Sequence, residues 1–337
     1  MRVLITGGTG FIGRRLTRRA LLRGWEVHVL TRDMRGARAQ VLAREGARLV
    51  PGDITDSLSL RKALEGNNPE LLFHNAGWYE LGIPRRSQHE MWAVNVEATE
   101  TILKLAAESQ LPKVVYTSST TALGDTGGTT ADESFLRRSA PITFYERTKT
   151  EAHQIALRHQ EAGEPVVIAC PAQAIGPGDH SPFGRLARLY ARGLLPPFGW
   201  ARDAAFTFGH VDDVAEALLL AGERGRAGEV YFVAGAEMTN RQMLEHWRKV
   251  MGRRIRFVWI PRPLALAQSA LAAPFLRWFG MPAFLSPEVV RSSYVSFRYR
   301  SDKAMRELGA RFRTAEEAWE QTLLEEAGRA QPWAASR

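Results

Sequence analysis

The sequence predicts an α/β fold built on a doubly wound parallel sheet, followed by a smaller, mostly helical C-terminal region. Three observations carry this. Short apolar runs alternate with helix-patterned stretches through the first half of the chain. A glycine cluster, "TGGTGFIG", directly follows the first apolar run. After residue 176 the alternation gives way to proline- and aromatic-rich sequence.

The strand-like runs fall at 2–6, 26–31, 47–51, 70–74, 113–118 and 165–170. They are short and continuously apolar, as strands buried on both faces are. Helix-patterned stretches separate them at 11–23, 36–45, 57–66, 88–109 and 143–162. This alternation spells βαβ units covered by helices on both sides. Further helices are expected at 183–192, 210–222, 239–251, 262–279 and 301–309. The expected division is a nucleotide-binding unit at 1–175, rejoined by about 208–235, and a cap from 176–207 and 236–330.

Composition narrows the function classes. The 337 residues are 45% hydrophobic and 24% charged, ordinary values for a folded globular protein. One cysteine, Cys170, excludes an internal disulfide framework and fits a reducing, cytoplasmic location. "MRVLIT" is too short an apolar run for a signal peptide. The net charge of +9 raises nucleic acid or an anionic membrane as partners. However, Arg14, Arg15, Arg18, Arg19 and Arg23 alternate with apolar residues as a solvated helix face does, and no zinc-finger, RRM or helix-turn-helix pattern accompanies them. No nucleic-acid partner is expected. No metal-binding spacing appears either, and the histidines are scattered. His210 reads as structural, with an aspartate after it capping the next helix.

The glycines point to a ligand. Gly8-Thr9-Gly10-Phe11-Ile12-Gly13 fits G-x-G-x-x-G, and Gly7, Gly10 and Gly13 share a three-residue spacing. The motif sits between the first strand and the first helix, where a tight turn lets backbone approach a pyrophosphate at the helix N-terminus. This is a Rossmann-type dinucleotide site. NAD-selective sites place a carboxylate at the end of the second strand; here Thr31 and Arg32 stand there. A guanidinium beside a small hydroxyl suits a 2′-phosphate, with Arg35 and Arg38 as neighbours, so NADP(H) is favoured. NAD(H) stays possible, since Asp33 is able to face the ribose. Asp53 and Ile54, after the third strand, are candidates for the adenine, while Thr55 or Asp56 caps the following helix.

Chemistry enters with Tyr145 and Lys149, four apart and therefore one helical turn apart on one face. A phenol is a poor acid or base at neutral pH until a cation favours the phenolate. Lys149 offers that charge and also reaches a ribose hydroxyl. Ser118 and Ser119 end the fifth strand on the ligand-binding edge, where a hydroxyl is able to hold a carbonyl oxygen.

Taken in order, "TGGTGFIG", "GDITD", "FHNAG", "NVEAT", "YTSS", "YERTK", "CPAQAIGPGD" and "HVDDVAEALLLA" make the chain resemble the extended short-chain dehydrogenase/reductase family over nearly its whole length. Its dihydroflavonol-reductase-like and hydroxysteroid-dehydrogenase-like branches are the most similar. The resemblance implies a catalytic set of Ser119, Tyr145 and Lys149, with Asn95 supporting the lysine through water. It implies cofactor contacts from Asn75, Ala76 and Gly77 and from the backbone around Pro171–Ala174, and a homodimer through the helices at 88–109 and 143–162. Two departures stand out: "HNAG" in place of the usual H-x-A-A, and "ACPAQ" without an arginine before the proline.

Substrate residues are expected in the loops: Trp78, Tyr79, Ser118 and Gln173, with Trp200, Phe206 and Phe208 suggesting a large apolar pocket. The run "LALAQSALAAPFLRWFGMPAFL" at 264–285 is broken by Gln268, Pro274 and Arg277, which argues against a transmembrane span. A core-packed cap helix is the ordinary reading of it, and a membrane-facing surface the sharper one. Three functions compete. They are an NADP(H)-dependent oxidoreductase acting on an apolar small molecule, an NAD-dependent nucleotide-sugar epimerase or dehydratase, and a non-catalytic dinucleotide sensor.

Overall fold

The computed structural model describes residues 1–278 and 286–329, so the end of the 264–285 run lies outside the described residues. Strands β1 (Arg2–Thr6), β2 (Glu26–Thr31), β3 (Arg48–Pro51), β4 (Leu71–His74), β5 (Val114–Thr117) and β6 (Val166–Pro171) match the six expected runs. Three short strands follow, β7 (Gln173–Ile175), β8 (Phe198–Gly199) and β9 (Ala205–His210). Then β10 (Val230–Val233) returns to the large sheet. That sheet has seven strands in the order β10-β6-β5-β4-β1-β2-β3, all parallel.

Period-two alternation sends side chains to two layers. Val3, Ile5, Phe73 and Val115 pack with Leu16 of α1 (Gly13–Leu22). Leu4, Leu72, Val114 and Tyr116 face the opposite way. The helices α2 (Ala37–Arg44) and α3 (Ser57–Asn67) follow the pattern as expected, and Asp56 caps α3 by accepting from the Leu58 amide. The single helix expected at 88–109 is instead α4 (Arg85–Trp92), a π-helical turn at Ala93–Glu97, and α5 (Ala98–Glu108). Then comes α6 (Phe144–Glu161), whose Ile155 packs in the same layer as Ile102 of α5.

The remaining helices build the cap and close the first layer: α7 (Pro182–Ala191), α8 (Val211–Arg224), and α9 (Asn240–Val250), which follows β11 (Ala236–Thr239). Leu218 of α8 joins Leu16 of α1 in the first layer. The α8 cap corrects one expectation: the His210 ring itself accepts from the Asp212 amide, 3.3 Å, so the histidine and not an aspartate is the cap. Beyond β12 (Val258–Trp259), which pairs with β8, lie α10 (Arg262–Trp278), α11 (Pro287–Ser292) and α12 (Ala315–Arg329). The expected helix at 301–309 is a π-helical turn at Ala304–Leu308. Trp319 of α12 is fully buried and meets Trp247 of α9 edge-on at 4.8 Å, the centre of the cap core. Among the described residues no helix is long and apolar enough to cross a membrane.

Chain direction across the sheet reverses between β1 and β4, which opens a crevice at their carboxyl ends. Here the backbones nearly touch. Gly7 has φ +68°. A Cβ on it would lie 2.7 Å from the Ala76 Cα, and one on Gly13 would lie 2.0 Å from the Gly7 carbonyl oxygen. Only glycine fits at either position.

Candidate active site at the carboxyl edge of the sheet

The N-terminus of α6 presents Tyr145, and a buried acid holds that end. Thr143 and Glu146 form a capping box, with the Thr143 hydroxyl accepting from the Glu146 amide at 3.0 Å. Glu146 is only 2% exposed, and its carboxylate also accepts from the Ile142 amide at 2.7 Å. Its counter-ion is Arg137. The same guanidinium donates to the Ala122 carbonyl at 3.0 Å and to the Thr150 hydroxyl at 3.1 Å. One arginine therefore ties the short turn at Thr120–Ala122 to the first turns of α6. Ser119 precedes that turn and caps it, accepting from the Thr121 amide at 3.1 Å. Its hydroxyl is close enough to the Tyr145 phenol to pull the phenol pKa downward.

Lys149 lies one turn further along α6, buried. Its ammonium donates to the Thr117 carbonyl at 3.1 Å and to the Tyr116 hydroxyl at 3.4 Å, and sits 5.1 Å from the centre of the Tyr116 ring. Burial pulls its pKa down to about 8. Burial holds the Tyr145 phenol well above the ordinary range, and the Ser119 hydroxyl opposes this. The lysine charge is thus directed at β5 and not at the phenol, and Tyr116 is the partner that sequence reading missed. Strand alternation was the available signal: Tyr116 shares a sheet face with Val114, the face that α6 covers.

Two of the candidates have buried partners that the sequence did not indicate. Asn95, in the π-helical turn, accepts from the Trp78 amide at 2.7 Å and donates to the Trp78 carbonyl at 2.9 Å and the Thr148 hydroxyl at 3.0 Å. Its own carbonyl accepts from Thr99 at 2.8 Å. Asn95 thereby latches the loop after β4 onto α6, and its backbone carbonyl keeps a second lone pair. Ser118 is buried 2.9 Å from the His153 ring and is not among the residues lining the substrate-sized cavity. Strand alternation sends neighbouring serines to opposite sides, and Ser119 is the one whose hydroxyl influences the Tyr145 phenol.

The cofactor candidates gather across the crevice. The Gly10 amide donates to the Gly7 carbonyl at 2.9 Å, and α1 starts after Ile12 with no side-chain cap and no acid in its first turn. Free amides and a positive dipole end there suit phosphate. Phe11 leaves the turn to meet the His180 ring edge-on at 6.2 Å. The Ala76 amide donates to Thr6 at 3.2 Å, which sets Asn75, Ala76 and Gly77 against the glycine turn. At the ends of β2 and β3, Arg32 is 75% exposed with its guanidinium 3.8 Å from Asp53. Asp53 also accepts from the Thr55 amide and hydroxyl, each at 2.9 Å. Thr31 bonds the Asp33 backbone, and the Asp33 carboxylate turns to the Arg35 amide at 3.1 Å. Ile54 packs on the α5–α6 layer. Pro171 ends β6, and the next amide, Ala172, donates to Val233 of β10 at 3.0 Å; Ala174 lies in β7. Arg14, Arg38, Arg185 and Arg188 stand close enough to depress the His180 pKa, after burial, the main cause. A dinucleotide fits this edge: a glycine turn and an uncapped helix start are the donors its phosphates need.

Beyond Tyr145 opens a cavity of about 460 Å³. Tyr79, Tyr145 and Gln173 line one end, and Phe183, Leu186, Trp200, Phe206, Met243 and Trp259 the rest. The Tyr79 ring stands edge-on to Tyr145 at 4.7 Å. Trp78 instead donates its indole N–H to Glu80 at 3.1 Å, and Phe208 is fully buried in the cap core; neither is among the lining residues.

A crevice at the switch point of a parallel sheet, closed by a glycine turn, defines a Rossmann-type dinucleotide-binding protein. The model of the NAD dependent epimerase/dehydratase family matches residues 3–234, and the chain belongs to that family. It is an oxidoreductase of the extended short-chain dehydrogenase/reductase type that acts on hydroxyl and keto groups. It is 31% identical to sterol demethylase protein B of Methylococcus capsulatus, over 92% of this chain and 93% of that one. A farnesyl-dihydroquinoline-oxide ketoreductase of Stigmatella aurantiaca is 30% identical, over 92% and 91%. Among solved structures, gox2253 superposes with a TM-score of 0.80 at 30% identity, over 97% of this chain and 98% of that one.

Two measurements check this geometry. Arg137→Met leaves the Glu146 carboxylate buried and unpaired, a change that costs about 3–5 kcal/mol. Calorimetry should show a Tm lower by roughly 10 °C, and an unchanged Tm would mean that the pair does not hold α6. For Lys149, the folded pKa is about 8 against 10.5 when unfolded. Between those values the unfolded chain binds more protons, so stability rises with pH there. Relative to Lys149→Met, the wild type should gain up to roughly 3 kcal/mol in urea unfolding between pH 8 and 10. Parallel pH curves for the two proteins would contradict a buried ammonium.

Proposed function

We propose that the protein is an NADP(H)-dependent reductase or dehydrogenase of a fairly apolar, ring-sized carbonyl or alcohol. The observation that carries this reading is the position of Tyr145. Its phenol lines an apolar cavity and is influenced by Ser119, with Lys149 one turn further along α6 and the glycine turn at the same sheet edge. The names of the relatives support the substrate class, since a sterol and a farnesylated quinoline are large and apolar. The apolar lining offers few partners to a nucleotide sugar, which sets the epimerase or dehydratase reading second. A sensor would have no need of a serine beside a buried phenol.

The nicotinamide supplies or accepts the hydride. Tyr145 gives its phenolic proton to the carbonyl oxygen in reduction and takes it back in oxidation. Ser119 holds that oxygen and, beside the phenol, lowers the cost of its ionised form. Lys149 would hold the ribose, from an ammonium anchored on the Thr117 carbonyl and the Tyr116 hydroxyl. Gly7, Gly10, Phe11, Ile12 and Gly13 would receive the pyrophosphate; Thr31, Arg32 and Arg38 the 2′-phosphate; Asp53 and Ile54 the adenine; Asn75–Gly77, Pro171 and Ala174 the nicotinamide end. Tyr79 and Gln173 would contact substrate. A cytoplasmic homodimer belongs to the same reading, the dimer on the family resemblance alone.

Fluorescence titration with NADPH and NADH tests the cofactor preference. Wild type should favour NADPH, and Arg32→Ala should weaken NADPH at least tenfold with NADH little changed. A preference for NADH, or bound NAD that survives dialysis, would reverse the assignment.

A further inference from the structure

The excess positive charge is not where the sequence pattern suggested. The arginines of α1 are paired, Arg18 with Glu45, Arg19 with Glu216, and Arg23 with Glu216 and Glu223. Two cap segments, 180–201 and 246–287, hold ten of the 45 Lys and Arg residues and none of the 36 Asp and Glu. The rest of the chain is close to neutral. Of these cations, Arg192, Lys249, Arg254 and Arg256 are exposed and make no ion pair among the described residues.

The same segments expose apolar side chains. Val258 of β12 and Phe198 of β8 are register partners, 68% and 45% exposed, and Leu194 beside them is also exposed. Leu194 and Phe198 also line the substrate-sized cavity. The next element, α10, has inverted amphipathy. Its small residues Ala265, Ser269 and Ala273 are buried, while Leu264 and Leu271, seven apart and so on one stripe, are exposed, Leu271 by 82%. The helix therefore packs through its small residues and leaves an apolar stripe outward over its described part.

We propose that this face, formed by the α7–β8 connection, β12 and the outer stripe of α10, docks on an anionic phospholipid surface. The leucines and Phe198 enter the apolar boundary, Arg192, Lys249, Arg254 and Arg256 meet the lipid phosphates, and the cavity that Leu194 and Phe198 line lies beside the layer where an apolar substrate dissolves. This deepens the proposed function by giving such a substrate a route, and its test is read without turnover, so either reading can fail alone.

The test is flotation with vesicles of phosphatidylcholine alone and of phosphatidylcholine with phosphatidylglycerol. Wild type should float only with the anionic vesicles, and 0.5 M salt should release it. Arg254→Glu/Arg256→Glu and Leu264→Ser/Leu271→Ser should each bind at least tenfold more weakly, with circular dichroism and Tm unchanged to show that they fold. Absence of flotation with anionic vesicles, or equal flotation of the variants, would overturn the proposal. So would light scattering that shows a dimer split by Leu264→Ser/Leu271→Ser, because a second copy would then cover the face.

Discussion

The arrangement of the site depends on one buried ion pair. Arg137 lies in an irregular segment between β5 and α6, and Glu146 in the first turn of α6. Neither carries chemistry. Through them, the turn that carries Ser119 and the helix that carries Tyr145 share one guanidinium. A buried pair is weak as a source of stability, since desolvation offsets most of its Coulomb attraction. Its value here is geometric. A serine on a loop and a tyrosine on a helix have to stay within hydrogen-bond reach, and the Arg137 fork has a fixed shape.

A second constraint meets the first. The glycine turn can be closed only because Gly7 and Gly13 have no side chain, and the strand ends around it pull the β4 loop inward. Asn95 then latches that loop to α6 through Thr148, whose hydroxyl donates to the Tyr145 carbonyl at 2.8 Å. The cofactor edge and the catalytic helix are thereby joined through the π-helical turn. Such turns are rare, and they often mark functional sites.

Local patterns made much of this legible, and long-range pairings did not. The six main strands and the helices through α6 were readable because periodicity and glycine placement are properties of a few neighbouring residues. The placement of Ser119 after β5 and of Tyr145 and Lys149 one turn apart on α6 was readable from a strand end and a helical spacing. Arg137 was not, because its partner is fixed by a loop with no periodic signal. The bond of Ser118 to His153 and the bonds of Asn95 to Trp78 were not legible, because both join elements far apart in the chain. The strand β10 has only four residues, and α12 is rich in acids, so the buried face through Trp319 was easy to overlook.

The central claim is that Tyr145 is the proton donor and acceptor for a hydride transfer beside the apolar cavity. The most direct test is single-turnover oxidation of NADPH by a panel of cyclic and aryl ketones, for wild type and Tyr145→Phe. The account predicts unchanged NADPH affinity in the variant and a rate at least about a thousandfold lower, as expected when a positioned acid is removed. Turnover retained within a factor of a few, with the same substrates, would contradict it.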